Sequence, residues 1–136
     1  MKWEYTRAVG MAMYLCGNTR PDIQFVVHQC ARFSHNPKAS HSAAMKRIYK
    51  YLKDTREQGL VFNPSSDLKL DCYVDSDFAG LWGYKNNQDP MCVKSRTGYV
   101  LMLGDCPILS VSKLQTEIAL STLEAEYIAL SQAMRE

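Results

Sequence analysis

The stretch that decides the fold class is LKLDCYVDSD, residues 68–77. Apolar and polar side chains alternate along it, with Leu68, Leu70, Cys72 and Val74 on one side and Lys69, Asp71, Tyr73 and Asp75 on the other. A period of two is typical of a β-strand that buries one face. Because the segments before this strand have a helical period, we expect an α+β chain with its helices first and its sheet second.

Downstream of this strand, the sequence predicts a loop, a hairpin and a final helix. Residues 80–95 are rich in turn-forming residues and predict an irregular loop. Thr97–Leu103 and Ile108–Ser112 are predicted strands that flank a turn at 104–107. The final helix begins at a capping box, Ser121 to Glu124. Its apolar residues form a predicted stripe of Leu123, Tyr127, Leu130 and Met134.

Upstream, the sequence predicts three helices. Pro21, which favours the first turn of a helix, opens the second, and the third covers about Ser40 to Thr55. Apolar residues recur at helical spacing in the three segments, at Tyr5, Val9, Ala12, Met13 and Cys16, then at Ile23, Val26, Val27, Cys30 and Ala31, then at Ala44, Ile48, Tyr51 and Leu52. Gly59–Phe62 is a candidate short strand that leads into the sheet. We therefore expect a helical segment over 1–58 and a β-rich domain over 59–136.

The composition excludes several classes of protein. The chain has 136 residues, of which 46% are hydrophobic, so it can build a core and is not a disordered tail. The sequence contains no apolar run long enough to cross a membrane and no secretory leader, so we expect an intracellular protein without membrane contact. Its five cysteines contain no Cys-x-x-Cys pair, which argues against a zinc knuckle and a disulfide scaffold.

The net charge of +2 conceals a division between the two halves. Residues 1–58 carry ten Lys/Arg and four Asp/Glu, a net charge of +6, whereas residues 59–136 carry six and ten, a net charge of −4. On the third predicted helix, Lys46, Lys50 and Lys53 lie within about 60° of one another, opposite the apolar stripe. Such a row, flanked by Arg47, can bind phosphates. The alternative is an ordinary solvated helix face.

Two carboxylates are candidates for a metal site. Asp75 lies near the end of its predicted strand, on the polar face. On the last helix, Glu126 borders the apolar stripe at about −60° from Leu123, whereas Glu124 lies about 100° from it, away from the stripe. If the helix packs on the sheet, Asp75 and Glu126 can meet and bind one hard divalent cation through oxygen ligands. The alternatives are a strand-end turn residue for Asp75 and a solvated helix position for Glu126.

Other catalytic motifs are excluded. Tyr73–Asp77 is similar to the Tyr-x-Asp-Asp hairpin of polymerases, but Ser76 separates its two aspartates and a glycine-rich loop follows. His28 has no acidic residue at a spacing that would form a catalytic triad. The sequence also contains no Gly-x-Ser-x-Gly motif and no phosphate-binding glycine loop.

The ordered set of motifs resembles Copia-type retrotransposon polyproteins, at the point where reverse transcriptase passes into ribonuclease H. The resemblance extends from Tyr5 onward and is carried by 19–23 (TRPDI), 46–55 (KRIYKYLKDT), 59–60 (GL), 75–80 (DSDFAG), 94–100 (KSRTGYV) and 119–130 (ALSTLEAEYIAL). It implies a thumb-like helical segment followed by an incomplete ribonuclease H-like mixed sheet with one packed helix.

The resemblance also implies roles for individual residues. The family's first catalytic aspartate corresponds to Asp75 and its helix glutamate to Glu126, which agrees with the helical geometry. These two residues would bind Mg²⁺ or Mn²⁺, and the substrate would be the RNA strand of an RNA–DNA hybrid. Lys46, Arg47, Lys50 and Lys53 would face the phosphates of a template–primer duplex. The remainder of the Pol polyprotein would be a further partner.

The sequence departs from this family in two respects. Ser110 stands where the family often has tryptophan, which concerns packing. More important, the third acidic residue of the family lies beyond the glutamate helix, and this sequence contains neither that residue nor the polymerase motifs. Two ions need more negative charge than two carboxylates supply, so we expect the isolated chain to be inactive. The alternative is a non-enzymatic nucleic-acid- or protein-binding remnant of a decayed element.

Overall fold

The computed structural model describes residues 4–65, 67–80 and 92–136. The chain divides into two compact units, Met1–Val61 and Phe62–Glu136. The first unit is helical, and the second combines a sheet with one helix. The expected α+β class is therefore confirmed.

The first unit contains helices α1 (Tyr5–Asn18), α2 (Gln24–Ala31) and α3 (Ala39–Asp54), with a single 3-10 turn at Pro21–Ile23 before α2. Their apolar faces share one core, whose buried members are Tyr5, Ala8, Val9, Ala12, Cys16, Ile23, Val27, Cys30, Met45 and Ile48. None of the helices in the described part of the chain combines the length and the apolar character that a membrane span requires.

Three residues expected in this core are exposed instead. Met13, Val26 and Tyr51 are 43%, 41% and 44% exposed. Each lies at the edge of the buried side of its helix, next to a predicted core residue that is buried (Ala12 and Val27) or half-buried (Leu52). On α3, for example, Met45 is buried, because the face that packs on α1 and α2 is centred closer to Met45 than the predicted stripe.

The TRPDI segment joins the start of the 3-10 turn to the end of α3. Arg20 forms a two-pronged ion pair with Asp22, at 2.7 and 3.0 Å, and its Nη2 also donates to Thr55 Oγ1 at 2.8 Å. Tyr51 Oη donates to the same Asp22 carboxylate at 2.8 Å. The hydrogen bonds from Arg20 hold the pKa of Asp22 below its usual value, although partial burial opposes the shift. This motif therefore has a structural role.

The second unit is built on a three-stranded antiparallel sheet of β1 (Leu70–Asp77), β2 (Arg96–Leu103) and β3 (Cys106–Leu114), in that order. The sequence-based expectation of a mixed sheet is not met in the described part of the chain, because both strand pairs there are antiparallel. The expected strand at Gly59–Phe62 is also wrong. These residues have no regular structure, and the described strands do not pair with them.

A two-residue turn joins β2 to β3. Gly104 and Asp105 both have positive φ, at 53° and 68°, as a type I′ hairpin turn requires. Glycine is favoured at 104 because its φ is positive and because an added Cβ would lie only 3.3 Å from the Leu68 side chain. The predicted hairpin is therefore present, and β3 begins at Cys106, two residues before its predicted start. The loop predicted at 80–95 lies largely outside the described residues.

Helix α4 (Thr122–Ala133) packs on β1 and β2. The predicted stripe is wrong: Leu123, Tyr127, Leu130 and Met134 are all exposed, whereas Ala125, Ala129 and Ala133 are buried. Small side chains let the helix axis approach a sheet face that already carries a large side chain, Tyr99. At the end of the chain, Tyr99 Oη donates to Glu136 Oε1 at 2.7 Å. Burial, reinforced by this carboxylate, raises the pKa of Tyr99 to about 12.

The apolar face predicted for β1 is covered only in part. Leu68 and Leu70 are 67% and 61% exposed, whereas Val74 is half-buried. In the described part of the chain, α4 is the helix that packs on this strand, and burial is confined to the end of β1 that carries Val74.

Candidate functional site

The beginning of α4 gives its two glutamates different roles. Ser121 Oγ accepts a hydrogen bond from the Glu124 backbone N–H at 3.1 Å, as the sequence predicts. The Glu124 carboxylate accepts one from the Leu120 backbone N–H at 2.7 Å. Glu124 is thus a capping residue that stabilises the first turn of the helix.

Glu126 lies on α4 at the border between its buried and exposed sides. Its side chain is exposed, although Ala125 and Ala129 beside it are fully buried. At about 100° per residue, Glu126 lies about 60° from the centre of the buried alanine stripe, whereas Glu124 lies about 140° from it. Of the two glutamates, Glu126 is therefore the one adjacent to the sheet.

A buried glutamine holds this part of α4 against the sheet. Gln115, which follows β3, is 1% exposed. Its Nε2 donates to the Ala125 carbonyl oxygen at 2.9 Å and to Thr97 Oγ1 at 3.2 Å. Its backbone N–H donates to the Ser95 carbonyl oxygen at 2.9 Å. Gln115 therefore fixes the residue that immediately precedes Glu126. Sequence reasoning missed it, because a polar residue just after a strand normally indicates an exposed turn.

Asp75 is exposed and lies opposite Gly98 in the register between β1 and β2. Side chains alternate across a strand, so Asp75 is on the other face from its neighbours Val74 and Ser76. Val74 pairs with Tyr99, and Ser76 with Thr97, whose side chains face α4. A contact between Asp75 and Glu126 would therefore have to be made around the end of β1, which Asp77 terminates.

Asp77 has a structural role that the sequence did not reveal. Its carboxylate occupies the position that a Cβ on Gly80 would take, so it packs directly against the Gly80 backbone. Between them, Ala79 has a φ of 46°, and its N–H donates to Ser95 Oγ at 3.3 Å. The segment after β1 is thus turned sharply back toward β2. Within the described residues, the Asp75 side chain has no such contact with this turn, which distinguishes it from Asp77.

The candidate metal ligands remain two separate carboxylates on packed elements. Within residues 4–65, 67–80 and 92–136, the structure contains no cluster of three or more His, Cys, Asp or Glu that could hold a metal ion. Carboxylate oxygens suit Mg²⁺ or Mn²⁺. Two of them suffice to anchor a partly hydrated ion but are too few for a two-ion centre. It stays a prediction that Asp75 and Glu126 bind one cation together.

The predicted basic row lies on the solvent side of α3, where Lys46, Arg47, Lys50 and Lys53 are all exposed. The buried side of the helix carries Met45 and Ile48. Arg47 also borders an open, mostly apolar groove of about 790 Å³ between α2 and α3, which Phe25 and Tyr51 line from either side. The row is therefore exposed enough to bind phosphates. The same exposure is expected of an ordinary solvated helix face.

Comparison with known proteins identifies relatives over almost the whole chain. The chain is 38% identical over 132 residues to the secreted RxLR effector protein 161 of Plasmopara viticola, and the match covers 97% of this chain and 87% of that protein. No protein-family model matches the chain. No solved structure matches it either.

Further relatives are retrovirus-related Pol polyproteins. The chain is 42% identical over 135 residues to that of transposon TNT 1-94 from Nicotiana tabacum, and 36% identical over 133 residues to that of transposon RE1 from Arabidopsis thaliana. These matches cover 99% and 98% of this chain but only 10% and 8% of the two polyproteins. The chain thus spans about a tenth of the transposon polyproteins that it matches.

Proposed function

The chain belongs to the Copia-type retrotransposon Pol polyproteins, and we propose that it is the part of such a polyprotein in which a reverse-transcriptase thumb joins a ribonuclease H. In this proposal, the first unit binds a template–primer duplex. The second unit supplies Asp75 and Glu126 to a nuclease that hydrolyses the RNA strand of an RNA–DNA hybrid. The rest of the Pol polyprotein is the partner that completes both activities.

The observation that carries the nuclease proposal is the division of roles on α4. Glu124 is engaged at the helix cap, whereas Glu126 is exposed beside the buried stripe that packs on the strand of Asp75. Gln115 holds the Ala125 carbonyl and so limits movement of the adjacent Glu126. An acidic residue that is fixed by its backbone but not engaged by its side chain can bind a cation without first breaking a structural contact.

Asp75 and Glu126 would hold Mg²⁺ or Mn²⁺ through carboxylate oxygens. When bound, such ions align a water molecule for attack on the phosphodiester and stabilise the leaving oxygen. Asp75 and Glu126 would each contribute one negative charge, from strand β1 and from helix α4, which pack on each other. Since further ligands are needed for two ions, we propose that the chain alone binds metal weakly and does not cleave hybrids.

The first experiment measures hydrolysis of a labelled RNA–DNA hybrid by the purified chain with Mg²⁺ or Mn²⁺. We expect no cleavage above background. Robust Mg²⁺-dependent cleavage that Asp75→Asn abolishes would overturn the proposal that the isolated chain is inactive.

A second experiment tests the two candidate ligands in a Pol polyprotein that contains this chain. Asp75→Asn and Glu126→Gln should each abolish hybrid cleavage, because each removes a charged metal ligand. Glu124→Gln is the matched control on the same helix and should retain cleavage, since its carboxylate caps the helix. Equal losses from both glutamate variants would contradict the assignment.

The proposed role of the first unit is tested by measuring the affinity of the chain for a duplex at several salt concentrations. Each phosphate contact contributes about 0.9 to the slope of log K against log salt concentration. Replacing Lys46, Lys50 and Lys53 by alanine should therefore weaken binding and lower the slope by up to about 0.9 per lost contact. Lys69→Ala, an exposed lysine of the second unit that pairs with Asp71, is the control. An unchanged slope in the triple variant would indicate a solvated face.

A second candidate function is that of a non-enzymatic binding protein. It is favoured by the match to the effector protein, because that protein is covered over 87% of its length and so consists mostly of this region. This function predicts that Asp75→Asn and Glu126→Gln leave every measurable property unchanged. Loss of metal binding or of cleavage in either variant would exclude it.

A further inference from the structure

The groove between α2 and α3 is formed entirely by residues of the first unit, so the packing of this unit alone sets its shape. Its volume is about 790 Å³, and the buried Ile23, Cys30 and Ile48 form its floor. Phe25 and Val26 line it from the side of α2. The groove is therefore an apolar concavity of the size that binding sites usually have.

The opposite wall of the groove is one side of α3. From Ser40 to Tyr51 this wall rises by about 16 Å, or about three helical turns, at 1.5 Å per residue. An amphipathic helix of the same length, with apolar side chains at i, i+4 and i+7, would match it. The residues that α3 contributes are Ser40, Ala43, Ala44, Arg47, Ile48 and Tyr51.

The charges at the groove favour an acidic occupant. Of the lining residues that the structure describes, Asp22 is the one carboxylate. Its charge is already engaged, because Arg20 pairs with it at 2.7 Å and Tyr51 Oη donates to it at 2.8 Å. Arg47 also lines the groove, and within the described part of the chain it forms no ion pair. The groove thus presents an unpaired cation and no unpaired anion, which complements a negatively charged partner.

Arg47 lies on a different side of α3 from the lysine row. At about 100° per residue, Arg47 is about 100° from Lys46 and about 120° from Lys53. Lys46, Lys50 and Lys53 are not among the residues that line the groove in the described part of the chain. The groove is therefore distinct from the surface proposed above for duplex binding, and the inference below does not rest on that proposal.

We propose that this groove binds one amphipathic α-helix of a partner protein, about three turns long and acidic at its apolar edge. The apolar side chains of the partner helix would contact Val26 and Ile48, and one of its carboxylates would pair with Arg47. Burial of the apolar side chains supplies most of the affinity. The ion pair at the rim selects acidic over basic helices and fixes the orientation of the bound helix.

The test is the binding of two labelled synthetic peptides to the full chain, followed by fluorescence anisotropy. Both are alanine-rich peptides of about 15 residues, which is long enough for partial helicity, with leucines at i, i+4 and i+7. One peptide carries glutamates beside its leucines, and the other carries lysines at the same positions. At a salt concentration of about 0.15 M, which screens distant charges, the acidic peptide should bind at least about tenfold more tightly than the basic one.

Three variants separate the contribution of charge from that of the apolar wall. Arg47→Glu should reverse the preference, so that the basic peptide binds more tightly, which an effect on folding alone would not produce. Val26→Ser should weaken both peptides by roughly fivefold, because it removes apolar contact area. Arg7→Glu is the matched control: it makes the same change of charge at an exposed position of α1, outside the groove, and should leave both affinities unchanged.

The proposal is overturned if neither peptide binds at a concentration of about 1 mM, or if Arg47→Glu leaves the preference for the acidic peptide unchanged. A groove that takes nucleic acid instead would bind neither peptide, and Val26→Ser would then weaken duplex binding. That result would also overturn it.

Discussion

Replacing Gln115 by methionine tests how the sheet positions α4. Methionine has nearly the same length and volume, so the substitution removes the two Nε2 hydrogen bonds, to the Ala125 carbonyl and to Thr97 Oγ1, without leaving a cavity. A buried hydrogen bond contributes about 1 kcal/mol, so we expect a loss of about 2 kcal/mol. In a domain of this size, about 1 kcal/mol corresponds to about 4–8 °C, which predicts a fall in melting temperature of about 8–16 °C.

The measurement is thermal unfolding of the full chain by circular dichroism. The transition of the helical unit serves as the internal reference, because Gln115 belongs to the other unit. Gln132→Met is the matched control, since the buried Gln132 Oε1 has no hydrogen-bond partner in the described part of the chain. It should change stability by less than about 0.5 kcal/mol. If Gln115→Met melts within about 2 °C of the wild type, these two hydrogen bonds do not hold α4 on the sheet.

Three further predictions concern stability. Because Arg20 lowers the pKa of Asp22 in the folded state, this carboxylate stabilises the first unit above the unfolded-state pKa of about 4. This contribution disappears as the pH falls through the lower folded-state pKa. In urea unfolding, Asp22→Asn should therefore lower the free energy of unfolding at pH 7 and leave it unchanged at strongly acidic pH. Gly80→Ala should destabilise the second unit by about 1–3 kcal/mol, because its Cβ meets the Asp77 carboxylate; in denaturant titrations, a double variant with Asp77→Ser should be less destabilised than the two single effects together. Ser121→Ala removes the N-cap acceptor of α4 and should cost about 1 kcal/mol by chemical denaturation.

Local patterns predicted much of the fold. The hairpin follows from two alternating segments around Gly104, and the start of α4 follows from the Ser121 capping box. Both are decided by interactions within a few residues, so one sequence is enough to recognise them. The prediction of a strand at Gly59–Phe62 was wrong because a strand requires a partner strand, and a short apolar segment does not show whether one is available.

Which face of a helix is buried depends on its partner in space, and α4 shows this clearly. Its large apolar residues occupy one side, and a hydrophobic pattern alone assigns that side to the core. The structure buries the alanines instead, because the facing sheet carries Tyr99 and Gln115 and leaves room only for small side chains. The same dependence on distant partners hid the roles of Gln115 and Asp77, whose contacts involve residues that no local pattern connects to them.

Glu126 is still preferred to Glu124 as a candidate metal ligand, although the predicted buried side of α4 was wrong, and the reason is geometric. Glu126 lies about 70° from the centre of the predicted stripe and about 60° from the centre of the observed one, because it is between the two. Glu126 is thus closer than Glu124 to the buried side of the helix for either packing. The stronger discrimination comes from the cap: the Glu124 carboxylate accepts the Leu120 N–H at 2.7 Å, and binding a cation would require it to break that hydrogen bond. The two glutamates therefore differ in what each would lose on binding a metal, which is the difference that the Glu124→Gln and Glu126→Gln pair measures.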